Sequence, residues 1–586
     1  MSFLPRVVAL NRKSFVRTRT RKWGADGRLA VQGVNKRSGA RAGNRVALLM
    51  IGFVVLYGAV GARMAQYGME RNDDTASVAP PNRLLASRPD ILDRNGRVLA
   101  TDIRTVSLYA EPRKIVDVDD AVEKLSSVLP SLDRKTLYHK LKANSAFQWI
   151  KRQLTPKQQS RILALGVPGI GFRPETRRFY PAGATTSHIV GFVNIDNNGI
   201  AGMEKYIDRQ GLSALAGAGL TVDQKMQPVR LSIDLRVQHI VRDELLAGMK
   251  KFNAIGAGAV VLKVDTGEVI ALASVPDFNP NNPVHAQDKN RLNRMTAGTY
   301  EMGSVFKTFT TAMALDTGVA NLKSSYDASH PLRIGGFLIH DFHNMHRALT
   351  VPEVFIHSSN IGSAREALDV GIPRQKAFLK RLGLLTRMNT ELPEVATPFT
   401  PKVWKPVNSA TVAFGHGLNT TPLQTAVAAA ALMNGGKFME PTFLPRTEKQ
   451  AMAVSKQVVK PQTAKDMRYL FRLNVMHGSG GNADVQGYRV GGKTGTADKV
   501  VNGRYSKSKN FNSFLAAFPV DDPKYVVLVS IDEPHRAEGE WGFTAGFNAA
   551  PMVGAIIRRS ASALGVDPKF AVNDAATLVS QSTLSD

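Results

Sequence analysis

The 586-residue chain contains no cysteine, which removes disulfide bridges, thiolate nucleophiles and cysteine-ligated metals from consideration. Acidic residues are scarce beside basic ones, 48 against 76, and the net charge is +28. Charge of that size points first to nucleic acid or an anionic membrane, so its placement matters. Residues 1–45 hold twelve Lys or Arg and a single acid, Asp26, a net +11 packed into the first thirteenth of the chain. Internal repeats and long low-complexity tracts are also missing, so a repeat array is excluded.

Immediately after the basic block comes an uncharged run from Val46 to Ala62, bounded by Arg45 and Arg63. At 1.5 Å per residue it covers about 25 Å as a helix, near the lower limit for crossing a bilayer core. Cations on its N-terminal side place residues 1–45 in the cytoplasm and everything after Arg63 outside. A basic block of 45 residues is too long for a cleaved signal peptide, and its cations argue against a buried core helix. The expectation is a retained single-pass anchor over 46–62, with nucleic-acid binding set aside: anionic lipid accounts for the basic tail at about 1 kcal/mol per cation.

The remainder is too long for one ordinary domain, and 43% hydrophobic residues suffice for sizeable cores. Residues 64–82 are polar with Pro80-Pro81 and read as a linker. Asn95-Gly96 between Ile91-Leu92 and Val98-Leu99 predicts a hairpin, and residues 113–165 read as small helices. From residue 228 the texture changes. A helical run around Val237 and Ile240 precedes strands at 258–263 and 269–274; three more strands are predicted at 488–494, 514–518 and 525–531, then a closing helix over 547–564. The fold class is therefore α+β and multidomain: tail 1–45, transmembrane helix 46–62, an N-terminal domain 63–227, a second domain 228–570 built on a five-stranded, mostly antiparallel sheet flanked by helices, and a loose tail 571–586.

Chemistry concentrates in the second domain. Ser304 precedes Lys307 by three residues, a spacing that sets both side chains on one helical face and lets a neutral lysine take the serine proton. Ser304 is flanked by Gly303, Val305 and Phe306 and followed by an apolar helical run. The same Ser-x-x-Lys pattern at Ser506 and Lys509 lies in a polar stretch that reads as a solvated loop. Ser358-Ser359-Asn360 supplies a hydroxyl and an amide two residues apart, suited to proton relay and to holding a substrate amide. Lys493-Thr494-Gly495, with Gly491-Gly492 before and Thr496 after, sits on a predicted strand where glycine permits close backbone approach by a ligand.

In this order, Ser304-x-x-Lys307, Ser358-x-Asn360 and Lys493-Thr494-Gly495 resemble the three motifs of penicillin-binding proteins and serine β-lactamases. The stretches Arg88–Ala100, Arg178–Gly183 and Gly202-Met203-Glu204 resemble the pedestal, or dimerisation-type, domain of class B penicillin-binding proteins. Phe192-Val193-Asn194-Ile195-Asp196 with Gly199–Gly202 is most similar to the division-specific FtsI branch. The resemblance spans roughly residues 45–565. It departs at Met302, where many relatives have proline, and at His416, where they have tyrosine; neither position supplies the chemistry.

The resemblance implies a peptidoglycan D,D-transpeptidase that cross-links stem peptides through a serine acyl-enzyme and is trapped by β-lactams. In that reading Ser304 is the nucleophile, Lys307 its base, Ser358 a proton relay and Asn360 a holder of the substrate amide. Lys493, Thr494 and Thr496 bind the terminal carboxylate beside Gly495, Lys493 also lowers the Lys307 pKa, and the amides of Ser304 and Thr496 form the oxyanion hole. No cofactor and no metal is implied. Implied partners are the membrane, an FtsW-type septal glycosyltransferase and other division proteins, with the catalytic domain periplasmic. An elongation-type transpeptidase and a catalytically silent scaffold remain alternatives. A β-lactamase is disfavoured because Thr390-Glu391-Leu392-Pro393-Glu394 lacks the expected Glu-x-x-Leu-Asn pattern.

Overall fold

The computed structural model describes residues 22–23, 29–30, 50–63, 88–212, 227–540 and 542–570. Contacts divide the chain into two units, Met1–Arg83 and Leu84–Asp586. In the first, Lys22–Trp23 pairs with Leu29–Ala30, and residues 50–63 form an exposed helix. Residues 46–49, where the expected span begins, lie outside the described residues, as do the linker up to residue 87 and the tail 571–586. Among the described residues no helix is long and apolar enough to cross a membrane.

The second unit begins with the pedestal. Strands β1 (Ile91–Leu92) and β2 (Val98–Ala110) form the expected hairpin. Asp93 explains its turn: Oδ1 accepts the amides of Asn95 and Arg97 at 2.8 Å each, and Gly96 takes φ +85°. Helices α1 (Val118–Val128) and α2 (Arg134–Lys142) come next, each N-capped by an aspartate, Asp117 and Asp133. Between α2 and the helix Pro156–Ala164 the chain departs from the all-helical expectation and forms β3 (Gln148–Leu154), which pairs with β2. β4 (Ile170–Phe179) covers the other side of β2, and β5 (Val229–Arg230) runs parallel to β1. Leu108, Leu125, Leu137, Leu141, Ile150 and Leu154 make this lobe's core.

Arg178, the first residue of the Arg178–Gly183 stretch, is buried at the end of β4. Its guanidinium donates to Glu204 Oε1 at 2.7 Å, Asp102 Oδ1 at 3.2 Å and the Pro89 carbonyl at 2.8 Å. Glu204 lies on the short helix α3 (Gly202–Ile207) and also takes Arg88 Nε at 2.9 Å. The three pedestal motifs thus meet in one buried ion cluster. Pedestal and second domain are stitched by backbone and amide bonds, among them Asn281 Nδ2 to the Tyr180 carbonyl at 2.9 Å and Arg94 N to the Ile233 carbonyl at 2.9 Å.

The second domain opens with α4 (Leu235–Lys251), then β6 (Gly256–Lys263) and β7 (Val269–Val275). The helical middle contains α5 (Lys307–Thr317), α6 (Val351–Ile356), α7 (Asn360–Val370), α8 (Pro422–Met433) and α9 (Pro461–His477). β8 (Gly491–Val501), β9 (Arg504–Phe518), β10 (Tyr525–Asp532) and α10 (Ala549–Ser560) complete it. The sheet order is β7-β6-β10-β9-β8, every neighbouring pair antiparallel. Side-chain alternation serves two cores. Val261, Phe514, Val527 and Val529 pack with Val241 of α4 and Ile556 of α10; Val260, Leu515 and Leu528 pack with Phe309 of α5 and Leu470 of α9. β9 is much longer than expected and runs through the stretch read as a loop: Ser506 pairs with Lys499 and Asn510 with Asp498 of β8, and residues 507–509 bulge between them.

Candidate active site

Ser304 sits in a tight 3-10 turn, Gly303–Phe306, that runs directly into α5. Two glycines let this turn press on the edge strand β8. A Cβ on Gly303, which takes φ +52°, would stand 2.7 Å from the Thr496 carbonyl oxygen, and one on Gly495 would strike the Met302 carbonyl oxygen and Val305. At Gly495 the close approach is made by the chain's own Gly303–Phe306 turn, where the sequence predicts a ligand.

Lys307, the first residue of α5, is buried, and its Nζ lies 3.1 Å from Ser304 Oγ and 3.0 Å from Ser358 Oγ; it also donates to the Ser358 carbonyl. Lys493 Nζ reaches the same Ser358 Oγ at 3.0 Å from β8. Burial pulls the Lys307 pKa well below the ordinary lysine value, and the Lys493 charge pulls it further, against the opposite pull of Asp341 and Glu366. Burial brings Lys493 itself down to about 7.

Ser358 holds φ +56°, uncommon for a residue with a Cβ. The strain is held in place from both sides. Ser359 N-caps α7 by accepting the Gly362 amide at 2.9 Å, and Asp341 accepts Ser359 Oγ at 2.7 Å and the Ile361 amide at 2.9 Å. Asn360 Nδ2 donates to the His340 carbonyl at 2.9 Å, so the structure joins Asn360 to the loop before α6 rather than to Ser304 or Lys307. Thr494 Oγ1 bonds Ser479 Oγ, and Thr496 Oγ1 accepts the Ala545 amide at 3.1 Å.

The structure thus brings Ser304, Lys307, Ser358 and Lys493 into one hydrogen-bonded array, with Thr494, Gly495 and Thr496 on the adjoining edge. Ser506 and Lys509 are not such a pair: Ser506 Oγ contacts Ser508 Oγ at 3.2 Å, while Lys509 pairs with Glu533 at 3.2 Å. His416 makes edge-to-face ring contacts with Phe414 and Tyr505, and burial lowers its pKa to about 4. Glu391 accepts Thr442 Oγ1 at 2.6 Å and the Phe443 amide at 2.9 Å, and Glu394 accepts the Gly202 amide of the pedestal at 3.2 Å, so both carboxylates serve as structural acceptors.

Asp341, Glu366, Glu301 and Tyr505 surround this array and carry no sequence motif. Glu301 Oε1 accepts the Gly417 amide at 2.8 Å and Tyr505 OH at 3.0 Å, tying the segment just before the Ser304 turn to the arm of the β8–β9 hairpin. The Asn502-Gly503 pair, with φ +51° and +79°, is the turn signal that foretells that arm.

Residues 257–558 match the family described as penicillin binding protein transpeptidase domain, and residues 83–214 match the penicillin-binding protein dimerisation domain. The chain is 40% identical over 493 residues to the probable peptidoglycan D,D-transpeptidase FtsI of Caulobacter vibrioides, covering 82% of each chain. It is 30% identical over 512 residues to the peptidoglycan D,D-transpeptidase FtsI of Escherichia coli K12, covering 82% of this chain and 84% of that protein. The fold is similar to that of crystalline penicillin binding protein 3 from Mycobacterium tuberculosis, with TM-score 0.63 and 24% identity, covering 82% of this chain and 97% of that one.

Proposed function

The chain belongs to the penicillin-binding protein transpeptidase family, and from that premise we propose how its residues carry out peptidoglycan D,D-transpeptidation. The enzyme is a class B, FtsI-type transpeptidase acting by acyl transfer. The observation that carries the residue assignment is the position of Lys307 Nζ within hydrogen-bond reach of both Ser304 Oγ and Ser358 Oγ.

Neutral Lys307 takes the Ser304 proton, and Oγ attacks the carbonyl between the two terminal D-alanines. The Ser304–acyl ester forms, the amide bond breaks, and the departing D-alanine nitrogen receives its proton through Ser358. An amine of a second stem peptide then attacks the ester, which restores the Ser304 hydroxyl and leaves a cross-link. Lys493, Thr494 and Thr496 bind the terminal carboxylate, and Asn360 holds the substrate amide with the Nδ2 proton not used by His340. The amides of Ser304 and Thr496 serve as oxyanion donors, each worth about 2.7–4 kcal/mol in acyl-transfer enzymes. A β-lactam enters as a mimic of the D-Ala-D-Ala end.

We further infer that residues 46–62 anchor the chain in the cytoplasmic membrane with residues 1–45 inside, supported by the uncharged run behind its basic flank. A periplasmic catalytic domain and a septal FtsW-type glycosyltransferase partner complete the reading; mid-cell rather than side-wall placement of a tagged copy distinguishes the division role from elongation. The chemical test is labelling of the full-length protein in detergent with a fluorescent penicillin. Loss of label in Ser304→Ala and its retention in Ser506→Ala is the expected result. Equal labelling of the two variants would overturn the assignment, and no labelling of the folded unmutated protein would favour the scaffold.

A further inference from the structure

Directly beneath the general base lies a carboxyl that the acyl transfer does not use. Glu366, on α7, is fully buried. Its Oε2 accepts Thr311 Oγ1 at 3.0 Å, and its Oε1 has no hydrogen-bond partner among the described residues. Thr311 is four residues after Lys307 on α5, one helical turn along the same face, so the Thr311 bond places Glu366 one turn below the Lys307 stem. A buried carboxyl with one oxygen unsatisfied is costly, and costlier ionised than neutral.

We propose that Glu366 is a positioning residue that acts through Lys307: the two compete for one proton across the α5–α7 interface, and Glu366 thereby sets the pH at which Ser304 can be activated. This rests on the assignment of Lys307 as the base. When the shared proton resides on Glu366, Lys307 is a free amine able to accept from Ser304. When it resides on Lys307, the ammonium faces a buried carboxylate and the base is blocked. Burial penalises both charges, raising Glu366 and lowering Lys307, while the Lys307 charge pulls Glu366 back towards the carboxylate and the Glu366 charge pulls Lys307 back towards the ammonium, so the two arrangements compete.

Other charges feel this pair. Lys493 on β8 disfavours a proton on Lys307, Asp341 in the loop before α6 favours it, and His416 is kept neutral by burial and by the Lys307 charge. On the far side, Tyr326 of the strand Ser325–Asp327 is raised to about 12 by burial and by the charges of Glu366 and Asp369. None of these is hydrogen-bonded to the Glu366 carboxyl among the described residues. Thr311 therefore provides the handle on its ionisation.

A glutamine at 366 copies the neutral acid and cannot ionise, so every state that holds the proton on Lys307 opposite a carboxylate disappears. The test is the second-order rate of penicillin acylation of full-length enzyme from pH 5 to 9. In Glu366→Gln the acid limb is expected to move to lower pH by about half a unit or more, with the plateau rate kept. Thr311→Val, which withdraws the hydrogen bond that favours the carboxylate, is expected to move it the same way by less. An unchanged limb in a folded Glu366→Gln, or a move to higher pH, overturns the proposal, as does opposite behaviour in Thr311→Val. Acylation that survives Ser304→Ala would instead overturn the underlying active-site assignment, so the two failures are distinguishable.

Discussion

Lys307 and Lys493 reach one oxygen: each Nζ lies 3.0 Å from Ser358 Oγ. Two buried lysines that meet at one hydroxyl cannot both keep their protons cheaply. The fold depresses both pKa values to tolerate them.

Stability should therefore rise with pH. An unfolded Lys493 binds its proton up to about 10.4, whereas the folded residue releases it near about 7, so between those values the unfolded chain holds more protons and alkali favours the fold. Lys493→Met is expected to stabilise the protein by roughly 2–4 kcal/mol at pH 7, less as the pH approaches 10, while penicillin labelling is lost. Thermal unfolding of both proteins at pH 7 and pH 9.5 checks this. A variant less stable than its parent at pH 7 would show that the lysine is not under strain.

Gly495→Ala places a methyl group against the Met302 carbonyl and Val305. Overpacking of this kind costs about 1–3 kcal/mol, and here the displaced backbone is the nucleophile's own turn. Acylation is expected to fall by more than the stability loss alone explains, on the order of 100-fold, since a misplacement of about 1 Å is enough for that. Stopped-flow acylation beside a melting curve separates the two effects.

Much of this site is legible in the sequence because its chemistry prescribes residue types at short spacings. Ser304 and Lys307 are neighbours in the chain, and so are Ser358 and Asn360. β6 and β10 announce themselves by β-branched runs. Asp341 and Glu366 are not legible: their partners lie 18–20 and 55 residues away, and no local pattern records a bond that only the tertiary fold creates. The sequence predicts too short a β9 because the outer half of that strand, Arg504–Lys509, alternates polar with polar. Its Arg504–Ser506 part is held as a strand because β8 pairs with it beyond a bulge, not because a face is buried.

Asp341→Asn should loosen the turn that carries Ser358. The carboxylate accepts a hydroxyl and backbone amides at the start of α7, and an amide side chain presents donors to some of those donors. The expected loss is about 1–3 kcal/mol of local stability, with acylation down by roughly tenfold. Hydrogen exchange at residues 359–362 should accelerate while the sheet keeps its protection.

Arg178→Ala tests the pedestal separately from the chemistry. It strips Glu204 of one buried partner and Asp102 of another, and breaking a buried ion pair costs about 3–5 kcal/mol. The melting temperature should fall, while Ser304 in the molecules that remain folded still labels at its usual rate. Loss of labelling without loss of stability would instead tie the pedestal to the active site.

β8 ends its sheet. An outer strand is a template on which stray extended chains can nucleate aggregates. Here the Gly303–Phe306 turn presses on the strand so closely that a side chain at 303 or at 495 would collide with backbone. The packing that positions Ser304 therefore also crowds the end strand with the chain's own backbone, which leaves less of it open to a stray extended chain.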